Sequence, residues 1–437
     1  MNKTMERPTK QRVMLATVLF LILVIAYFDR VNTSVLAADD AFLKAMGIEN
    51  NPVAIGSLMS MFLFAYAIAN AVLSPLGDIY GPRLMMIVAV VIMGVSMIIG
   101  GLAQSLGTLL AARAVLGIGE GLHWPMQMKF VKNWFPPPER GKANSAWLLG
   151  LMFAPAVAMP FFTWLISFTG WRLSFFVLAS FSLVSLAMLY WFTTDRPEQH
   201  KGVNKQELEH VMAGLRAETE REAAMGATTT WESYKLFVTN YRYWLLVVFY
   251  MCNAAIFWGT IAWLPSYFRM ALGFNWAKMG AWSSLPYVLG LFSLALFGYL
   301  TDRYGKKIFF SAVSMLLPAI FIYMSTTATT TTSAAIYISI GIGTVALGLP
   351  AVWSIQQRLV PGKALAAGAG LMNGFGMLSS ALAPMIIGYF IKVTGSYSGG
   401  FLYLVGLALA GCIAIVCLGL VLPAERAEGS AKAGQAG

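Results

Sequence analysis

The sequence predicts an all-α polytopic membrane protein in which twelve transmembrane helices form two similar six-helix bundles. Three observations lead to this prediction. Of the 437 residues, 58% are hydrophobic and only 11% are charged, whereas soluble domains carry about 25% charged residues. Apolar runs of membrane-spanning length recur along the chain. Motifs of the first half also return in the second half at a nearly constant spacing.

Each predicted helix is a run of about 20 apolar residues, the length that crosses the hydrocarbon core of a bilayer. Six runs precede a polar stretch and six follow it. We place them near residues 13–38, 53–75, 84–103, 107–133, 142–168, 173–193, 243–268, 276–300, 307–326, 333–358, 364–391 and 400–422. The chain then divides into an N-terminal tail, a first bundle, a connector, a second bundle and a C-terminal tail, at 1–12, 13–193, 194–242, 243–422 and 423–437.

The distribution of basic residues predicts the orientation. The net charge is +11, and the lysines and arginines lie between apolar runs, mostly on one side. By the positive-inside rule, both termini are expected in the cytoplasm. The charge therefore reflects topology and does not indicate a nucleic-acid partner. The basic N-terminus precedes an apolar run without a cleavage site, so we expect a retained first helix in an inner (cytoplasmic) membrane.

The connector between the halves differs in composition. From Asp195 to Arg242 it holds eight acidic and seven basic residues. Apolar spacing at Leu208, Val211 and Leu215 allows a short amphipathic helix. We interpret the segment as a solvated cytoplasmic linker.

The two halves share sequence motifs. Residues 77–83 read GDIYGPR and residues 301–307 read TDRYGKK, an offset of 224. The triplet GIG at 117–119 recurs at 341–343 with the same offset. Internal repeats of this kind are typical of secondary transporters, whose binding site lies at the interface of the repeats.

Four charged residues fall inside predicted spans of the first half. Asp29 and Arg30 lie in the first span, and Arg113 and Glu120 lie seven residues apart in the fourth. A charge inside the bilayer costs on the order of 3 kcal/mol, so such residues indicate function. The corresponding positions of the second half are uncharged (Asn253, Ala254, Tyr337 and Thr344).

Two structural explanations of these charges stay open. Arg113 and Glu120 share a helix face and could neutralise each other, but about 10 Å of helix axis separates them. Arg30 could form a permanent salt bridge to its neighbour Asp29. That second alternative is compatible with function if a substrate competes for Arg30.

Several motifs together resemble one family. The aspartate-glycine turns at Asp78 and Asp302 resemble the signature of the major facilitator superfamily, although Ser74 and Ile79 depart from it in the first copy. Within that superfamily the chain resembles the anion:cation symporter branch, which includes bacterial hexonate and phthalate transporters and vesicular glutamate and sialic acid carriers. The motifs that carry this second resemblance are Tyr27-x-Asp29-Arg30, Arg113-x6-Glu120 and Trp134-Phe135-Pro136-x2-Glu139-Arg140-Gly141.

The resemblance implies import of a small organic anion, a carboxylate, by proton symport through alternating access. It implies that Asp29 and Glu120 couple protons and that Arg30 binds the carboxylate. We expect the carrier to work as a monomer in the lipid bilayer. The candidate substrate-binding residues are Arg30, Tyr66, Arg113, His123, Trp124, Gln127, Trp147, Trp353 and Asn373, and the candidate gating residues in the turns are Asp78, Arg83, Asp302 and Arg303.

Ordinary packing is the alternative for most of these side chains. Aromatic residues make up 13% of the chain, and most aromatic residues in membrane proteins lie in cores or interfacial belts. His123 could be a neutral histidine bonded to a neighbouring helix, and Asn70 could bond between helices. One departure bears on the substrate: Trp147 stands where the sugar-acid carriers have glutamine after Asn-Ser-Ala. A large ring there favours a flatter or more apolar anion than a polyol acid.

Other function classes lack their motifs. No phosphate-binding G-x-x-x-x-G-K-[ST] loop of an ATP-driven pump is present, and neither H-E-x-x-H nor G-x-S-x-G indicates an enzyme. Cys252, Cys412 and Cys417 lie in apolar runs, so no disulfide, metal site or cofactor is expected. An organic-anion exchanger or a uniporter of the same fold remains the alternative. A channel and a non-transporting sensor are less well supported.

Overall fold

The computed structural model describes residues 9–224, 235, 237–360 and 364–422, and that part of the chain is helical without β-strands. The first bundle and its connecting helices comprise α1 (Gln11–Leu36), α2 (Asp40–Met46), α3 (Pro52–Leu73), α4 (Leu76–Tyr80), α5 (Pro82–Leu102), α6 (Leu106–Trp134), α7 (Pro137–Leu148), α8 (Gly150–Thr169) and α9 (Trp171–Phe192). The connector contributes α10 (Lys205–Ala224).

The second bundle repeats this arrangement. Its helices are α11 (Tyr241–Ser266), α12 (Trp276–Tyr304), α13 (Lys307–Thr327), α14 (Thr331–Val345), α15 (Leu349–Leu359), α16 (Leu365–Thr394) and α17 (Tyr397–Val421). A π-helical turn (Tyr267–Ala271) extends α11, and a 3₁₀ turn (Ala346–Gly348) joins α14 to α15.

The prediction of twelve spans is confirmed. Within the described residues, eleven helices are long and apolar enough to cross a membrane. The twelfth crossing is α6, which at 29 residues has the length of a span. The charged residues of α6 lower its hydropathy below that of the other eleven spans. The least apolar span is therefore the one that carries Arg113 and Glu120.

Local sequence signals explain several helix ends. Asn51 accepts a hydrogen bond from the backbone N–H of Ala54 at 3.2 Å, and Pro52 occupies the first turn of α3. Both features stabilise a helix N-terminus. Gly305 ends α12 with a φ of 67°, a conformation that glycine adopts without steric cost.

The tenth span is not the single helix that we expected over 333–358. It is divided between α14 and α15, and α15 has a proline in its first turn. Proline lacks the backbone N–H of a helix interior, which explains why the helix restarts at this point. The fifth span begins earlier than expected, at Pro137, and a turn at Leu149 divides it into α7 and α8.

The connector is not simply a solvated linker. The amphipathic helix expected there is α10, and Val211 on it is fully buried. The carboxylate of Glu207 is also buried and accepts hydrogen bonds from the Thr9 hydroxyl at 2.5 Å and the backbone N–H groups of Gln11 and Arg12 at 3.2 and 3.1 Å. α10 therefore packs against the first bundle and caps the N-terminus of α1.

The bundles meet mainly along two helix pairs, α3 with α16 and α8 with α12, and less extensively where α1 meets α11. We call the side on which α1 begins and α17 ends the terminal side, and the opposite side the far side. At the far side the backbones of α3 and α16 touch. A Cβ atom added to Gly56 would lie 2.3 Å from the Pro384 carbonyl oxygen, and one added to Gly388 would lie 2.4 Å from that of Pro52.

The face of α16 that carries Gly388 has no close neighbour nearer the terminal side. Gly370 and Gly388 are eighteen residues apart, which is five full helical turns, so they point in the same direction. A Cβ atom at Gly370 or Gly374 would meet no atom within 4 Å. The bundles are therefore closed against each other at the far side and diverge toward the terminal side.

Candidate functional site

The two central charges form an ion pair between α1 and α6. The Nε of Arg30 donates to the Oε2 of Glu120 at 2.5 Å, and an Nη of Arg30 contacts the same oxygen. The side chains are only 4% and 1% exposed. Glu120 lies fourteen residues from each end of α6, or about 21 Å at 1.5 Å per residue. The pair therefore sits at the middle of the span.

The alternative of an Arg30–Asp29 salt bridge is wrong. Asp29 is buried, and neither of its carboxylate oxygens has a hydrogen-bond partner among the described residues. Consecutive residues of a helix point about 100° apart, so they do not face each other. Arg30 turns toward Glu120 of α6 instead.

The alternative of a direct Arg113–Glu120 pair is also wrong. The Nε of Arg113 donates to the Leu58 carbonyl at 3.2 Å, and one Nη donates to the Asp29 carbonyl at 3.4 Å. Its other Nη has no partner in the described part of the chain. Arg113 thus ties α6 to α3 and α1 through backbone oxygens and keeps one unused donor.

Four aromatic rings surround the Arg30 guanidinium. Its Cζ lies 4.2 Å from the ring centre of Tyr27, 5.0 Å from Phe62, 5.3 Å from Tyr66 and 4.7 Å from Trp258. The first three rings belong to the first bundle, and Trp258 belongs to α11 of the second. Aromatic faces stabilise a cation without neutralising it. Arg30 is therefore kept charged and in a fixed orientation where the bundles meet.

Of the two remaining candidates on α6, Gln127 bonds to α1 and His123 contacts Gln127. The Gln127 amide donates to the Leu19 carbonyl at 3.0 Å and lies 3.4 Å from His123 Nε2. Both side chains are buried. The structure thus ties Gln127 to a neighbouring helix and His123 to Gln127. Asn70 bonds between helices as expected, because its amide donates to the Gly121 carbonyl at 3.2 Å.

Two predicted tryptophans pack against each other on the terminal side of the ion pair. The rings of Trp124 and Trp147 meet edge to face with centres 5.1 Å apart. Trp147 is fully buried, and its indole N–H donates to Asn144 Oδ1 at 3.0 Å. Its polar atom is therefore already satisfied within α7, so it presents a hydrophobic ring and no free donor.

The candidates of the second bundle gather around Tyr250. Its hydroxyl donates to Asn373 Oδ1 at 3.1 Å, and its ring centre lies 5.5 Å from that of Trp353. Tyr66 lies in the first bundle, with its ring centre 5.3 Å from the Arg30 Cζ. The structure brings Tyr66, Asn373 and Trp353 into the region where the bundles meet.

The turn residues lie at the terminal side, away from the ion pair. Asp78 forms a salt bridge with Lys129 of α6. Arg83 donates to the carbonyl oxygens of Leu189 and Tyr190. Arg303 donates to the Tyr299 hydroxyl at 2.8 Å, whereas the side chain of Asp302 lies outside the described residues. These contacts of Asp78 and Arg83 stay within the first bundle.

Three residues of the site, Phe62, Tyr250 and Trp258, were not predicted from the sequence, and Tyr27 entered only as part of a motif. The internal repeat could have indicated Trp258. Position 254 corresponds to Arg30, and Trp258 lies about one helical turn after position 254. Phe62 and Tyr250 had no such signal, since an aromatic residue in an apolar span is most often part of the core.

The site combines a fixed cation with two buried carboxyl groups and aromatic walls. A guanidinium matches carboxylate and sulfonate oxygens through paired N–H donors. Among the described residues, no group of three or more His, Cys, Asp or Glu side chains is placed to hold a metal ion. The arrangement suits reversible binding of an anion and of protons.

Comparison with known proteins identifies the family. The sequence model of the Major Facilitator Superfamily matches residues 19–384. The chain belongs to this superfamily. A Cupriavidus necator protein named "Probable sulfoacetate transporter" is 30% identical over 96% of this chain and 97% of its own. A protein of Escherichia coli K12 named "Probable galactarate/D-glucarate transporter" is 26% identical over 92% of this chain and 91% of its own.

A solved structure of the superfamily has the same fold. The crystal structure of a bacterial homologue of the human lysosomal transporter Spinster, in an inward-facing and occupied conformation, matches with a TM-score of 0.74 at 16% identity. The match covers 94% of this chain and 97% of that one. The major facilitator fold, the multi-pass membrane location and the classification as a transporter, not an enzyme, are thereby confirmed.

Proposed function

We propose that this protein is a proton-coupled carrier that imports a small organic anion bearing a carboxylate or sulfonate group. The observation that carries the proposal is the buried Arg30–Glu120 pair at the middle of α6. Arg30 is a buried cation whose ion-pair partner, Glu120, can be protonated. When Glu120 takes up a proton, a substrate anion can replace it at Arg30.

The proton sites are Glu120 and Asp29. Burial favours the neutral form of a carboxyl group, and a nearby cation favours the charged form. Glu120 is charged while it pairs with Arg30 and becomes neutral when an anion takes its place. Asp29 is buried and has no hydrogen-bond partner in the described part of the chain, so it is the second carboxyl group inside the spans that is available to a proton.

The transport cycle follows from this competition. Protons bind Glu120 and Asp29 while the carrier is open to the outside, and the anion docks on Arg30. The bundles then rock and the anion and protons leave on the other side. With the termini in the cytoplasm, closure at the far side makes the present conformation inward-facing. The carrier functions as a monomer because each chain holds a complete site between its own bundles.

Two features support a short anion over a polyol acid. The Trp124–Trp147 pair fills space beside the charged residues without offering a free donor to hydroxyl groups. The relative named for sulfoacetate is also more similar to this chain than the one named for galactarate and D-glucarate. We therefore propose a two- or three-carbon carboxylate or sulfonate as the substrate class.

The test uses purified carrier in detergent and in proteoliposomes. Sulfoacetate, acetate, benzoate and D-glucarate are screened for thermal stabilisation at pH 5.5 and 7.5, and those that bind are tested for uptake with and without a pH gradient. Stabilisation by a short anion and uptake driven by an inward proton gradient support the proposal. Exchange without any response to the gradient would instead assign an antiporter.

A further inference from the structure

Trp258 is the aromatic contact that the second bundle makes with the charged centre. It lies on α11, is 4% exposed, and its ring centre is 4.7 Å from the Arg30 Cζ. It also lies 6.0 Å from the ring of Tyr27. The four charged residues buried inside the spans (Asp29, Arg30, Arg113 and Glu120) all belong to α1 and α6. Trp258 is the point at which α11 reaches the Arg30 cation.

Within the described residues, the indole N–H of Trp258 forms no hydrogen bond. Its recorded ring contacts are with the rings of Tyr27 and Phe257 and with the Arg30 guanidinium. Trp147 differs, because its indole N–H donates to Asn144, and so does Trp263, whose N–H donates to the Pro384 carbonyl. A buried indole usually finds an acceptor. The indole N–H of Trp258 is therefore available as a donor to an anion that binds beside Arg30.

We propose that Trp258 is a substrate-binding residue, in which the indole N–H donates to an oxygen of the anion held by Arg30 while the indole ring covers the guanidinium face. The anion approaches Arg30 in the guanidinium plane, where its N–H donors lie. A cation–π contact uses none of these N–H donors, so the Trp258 ring does not compete with the anion for them. This inference rests on the proposed function and adds the contact by which the second bundle recognises the substrate.

The contact has a consequence for transport. A ligand shifts a conformational equilibrium only by interacting differently with the two states. An anion bound to Arg30 alone would contact one bundle and would not favour closure. An anion that also accepts a hydrogen bond from Trp258 bridges α1 and α11, so it stabilises the state in which the bundles are together around it.

The test compares Trp258→Phe, which keeps a ring but removes the donor, with Trp258→Leu, which removes both. Trp164→Phe is the matched control, because Trp164 is 58% exposed on the outer surface. Sulfoacetate binding is measured by thermal stabilisation and by the anion-induced change in tryptophan fluorescence. We expect affinity to fall about tenfold in Trp258→Phe, as for loss of one hydrogen bond to a charged group, and further in Trp258→Leu.

Three outcomes separate the possibilities. If Trp258→Phe binds sulfoacetate as tightly as the wild type and keeps the full fluorescence change, the inference is wrong while the proposed function stands. If the unliganded melting temperature of Trp258→Phe falls and its affinity does not, Trp258 is a packing residue. If wild-type carrier binds none of the screened anions, the proposed function and this inference are both overturned.

Discussion

Arg30 on α1 and Glu120 on α6 form a buried ion pair, and no comparable buried charge occurs in the second bundle among the described residues. The ion pair therefore connects α1 to α6 within the first bundle. Four aromatic rings hold the guanidinium in place.

Replacing Glu120 by Gln should abolish uptake driven by a proton gradient while sparing exchange of substrate across the membrane. Glutamine keeps an acceptor for Arg30 but cannot bind or release a proton. The measurement is uptake into proteoliposomes with a pH gradient, set against counterflow without one. Glu198→Gln, at an exposed position outside the spans, is the control. Equal loss of both activities would make Glu120 a binding or structural residue.

Removing one partner of the ion pair should destabilise the fold more than removing both. Arg30→Ala leaves a buried carboxylate without its cation, which costs about 3–5 kcal/mol. The double variant Arg30→Ala/Glu120→Ala leaves no uncompensated charge and should recover part of that loss. Unfolding in detergent gives the coupling energy of the cycle, with Lys44→Ala as an exposed control. Additive effects would show that the contact contributes nothing to stability.

Gly56→Ala should prevent the bundles from closing at the far side. The added Cβ would lie 2.3 Å from the Pro384 carbonyl oxygen, and both groups are backbone of packed helices. We expect uptake to fall at least about tenfold, while the protein still folds and binds its anion. Gly374→Ala is matched, since a Cβ there meets no atom within 4 Å. Unchanged uptake in Gly56→Ala would show that close contact of α3 and α16 is not required.

Glu207→Ala should lower stability by about 2–4 kcal/mol, because the backbone N–H groups of Gln11 and Arg12 lose a buried charged acceptor. Glu209→Ala on the same helix is the control. Its side chain is 66% exposed and lies 3.8 Å from Lys205, an exposed pair worth roughly 0.5 kcal/mol. Thermal unfolding of both variants is compared. Equal effects would mean that α10 does not hold the N-terminus of α1.

Trp147→Gln should widen the range of anions that bind. The substitution removes a buried ring that packs against Trp124 and introduces an amide beside the charged residues. We expect D-glucarate to stabilise this variant at lower concentrations than the wild type, and sulfoacetate to bind more weakly. Thermal-shift titrations of the two anions check both directions. If the variant prefers sulfoacetate over D-glucarate as strongly as the wild type does, Trp147 does not determine substrate selection.

The sequence alone determined the fold class, the repeat and the residues that carry charge into the membrane. All three follow from patterns along the chain. The hydropathy of a segment gives the length of a span, and a charged residue inside a span is costly whichever way its side chain points. The sequence therefore predicted Asp29, Arg30, Arg113 and Glu120 as the exceptional residues. It also predicted the amphipathic helix of the connector, since apolar periodicity is a property of a single helix.

Only the tertiary structure decided which of these residues are partners. Arg30 pairs with Glu120, ninety residues away, and not with the adjacent Asp29, because helix geometry turns neighbouring side chains apart. Trp258 reaches Arg30 because α11 packs beside α1, and Glu207 becomes a cap because α10 folds back on the first bundle. Such contacts depend on how helices distant in the chain are placed, and a pattern along one helix does not contain that information.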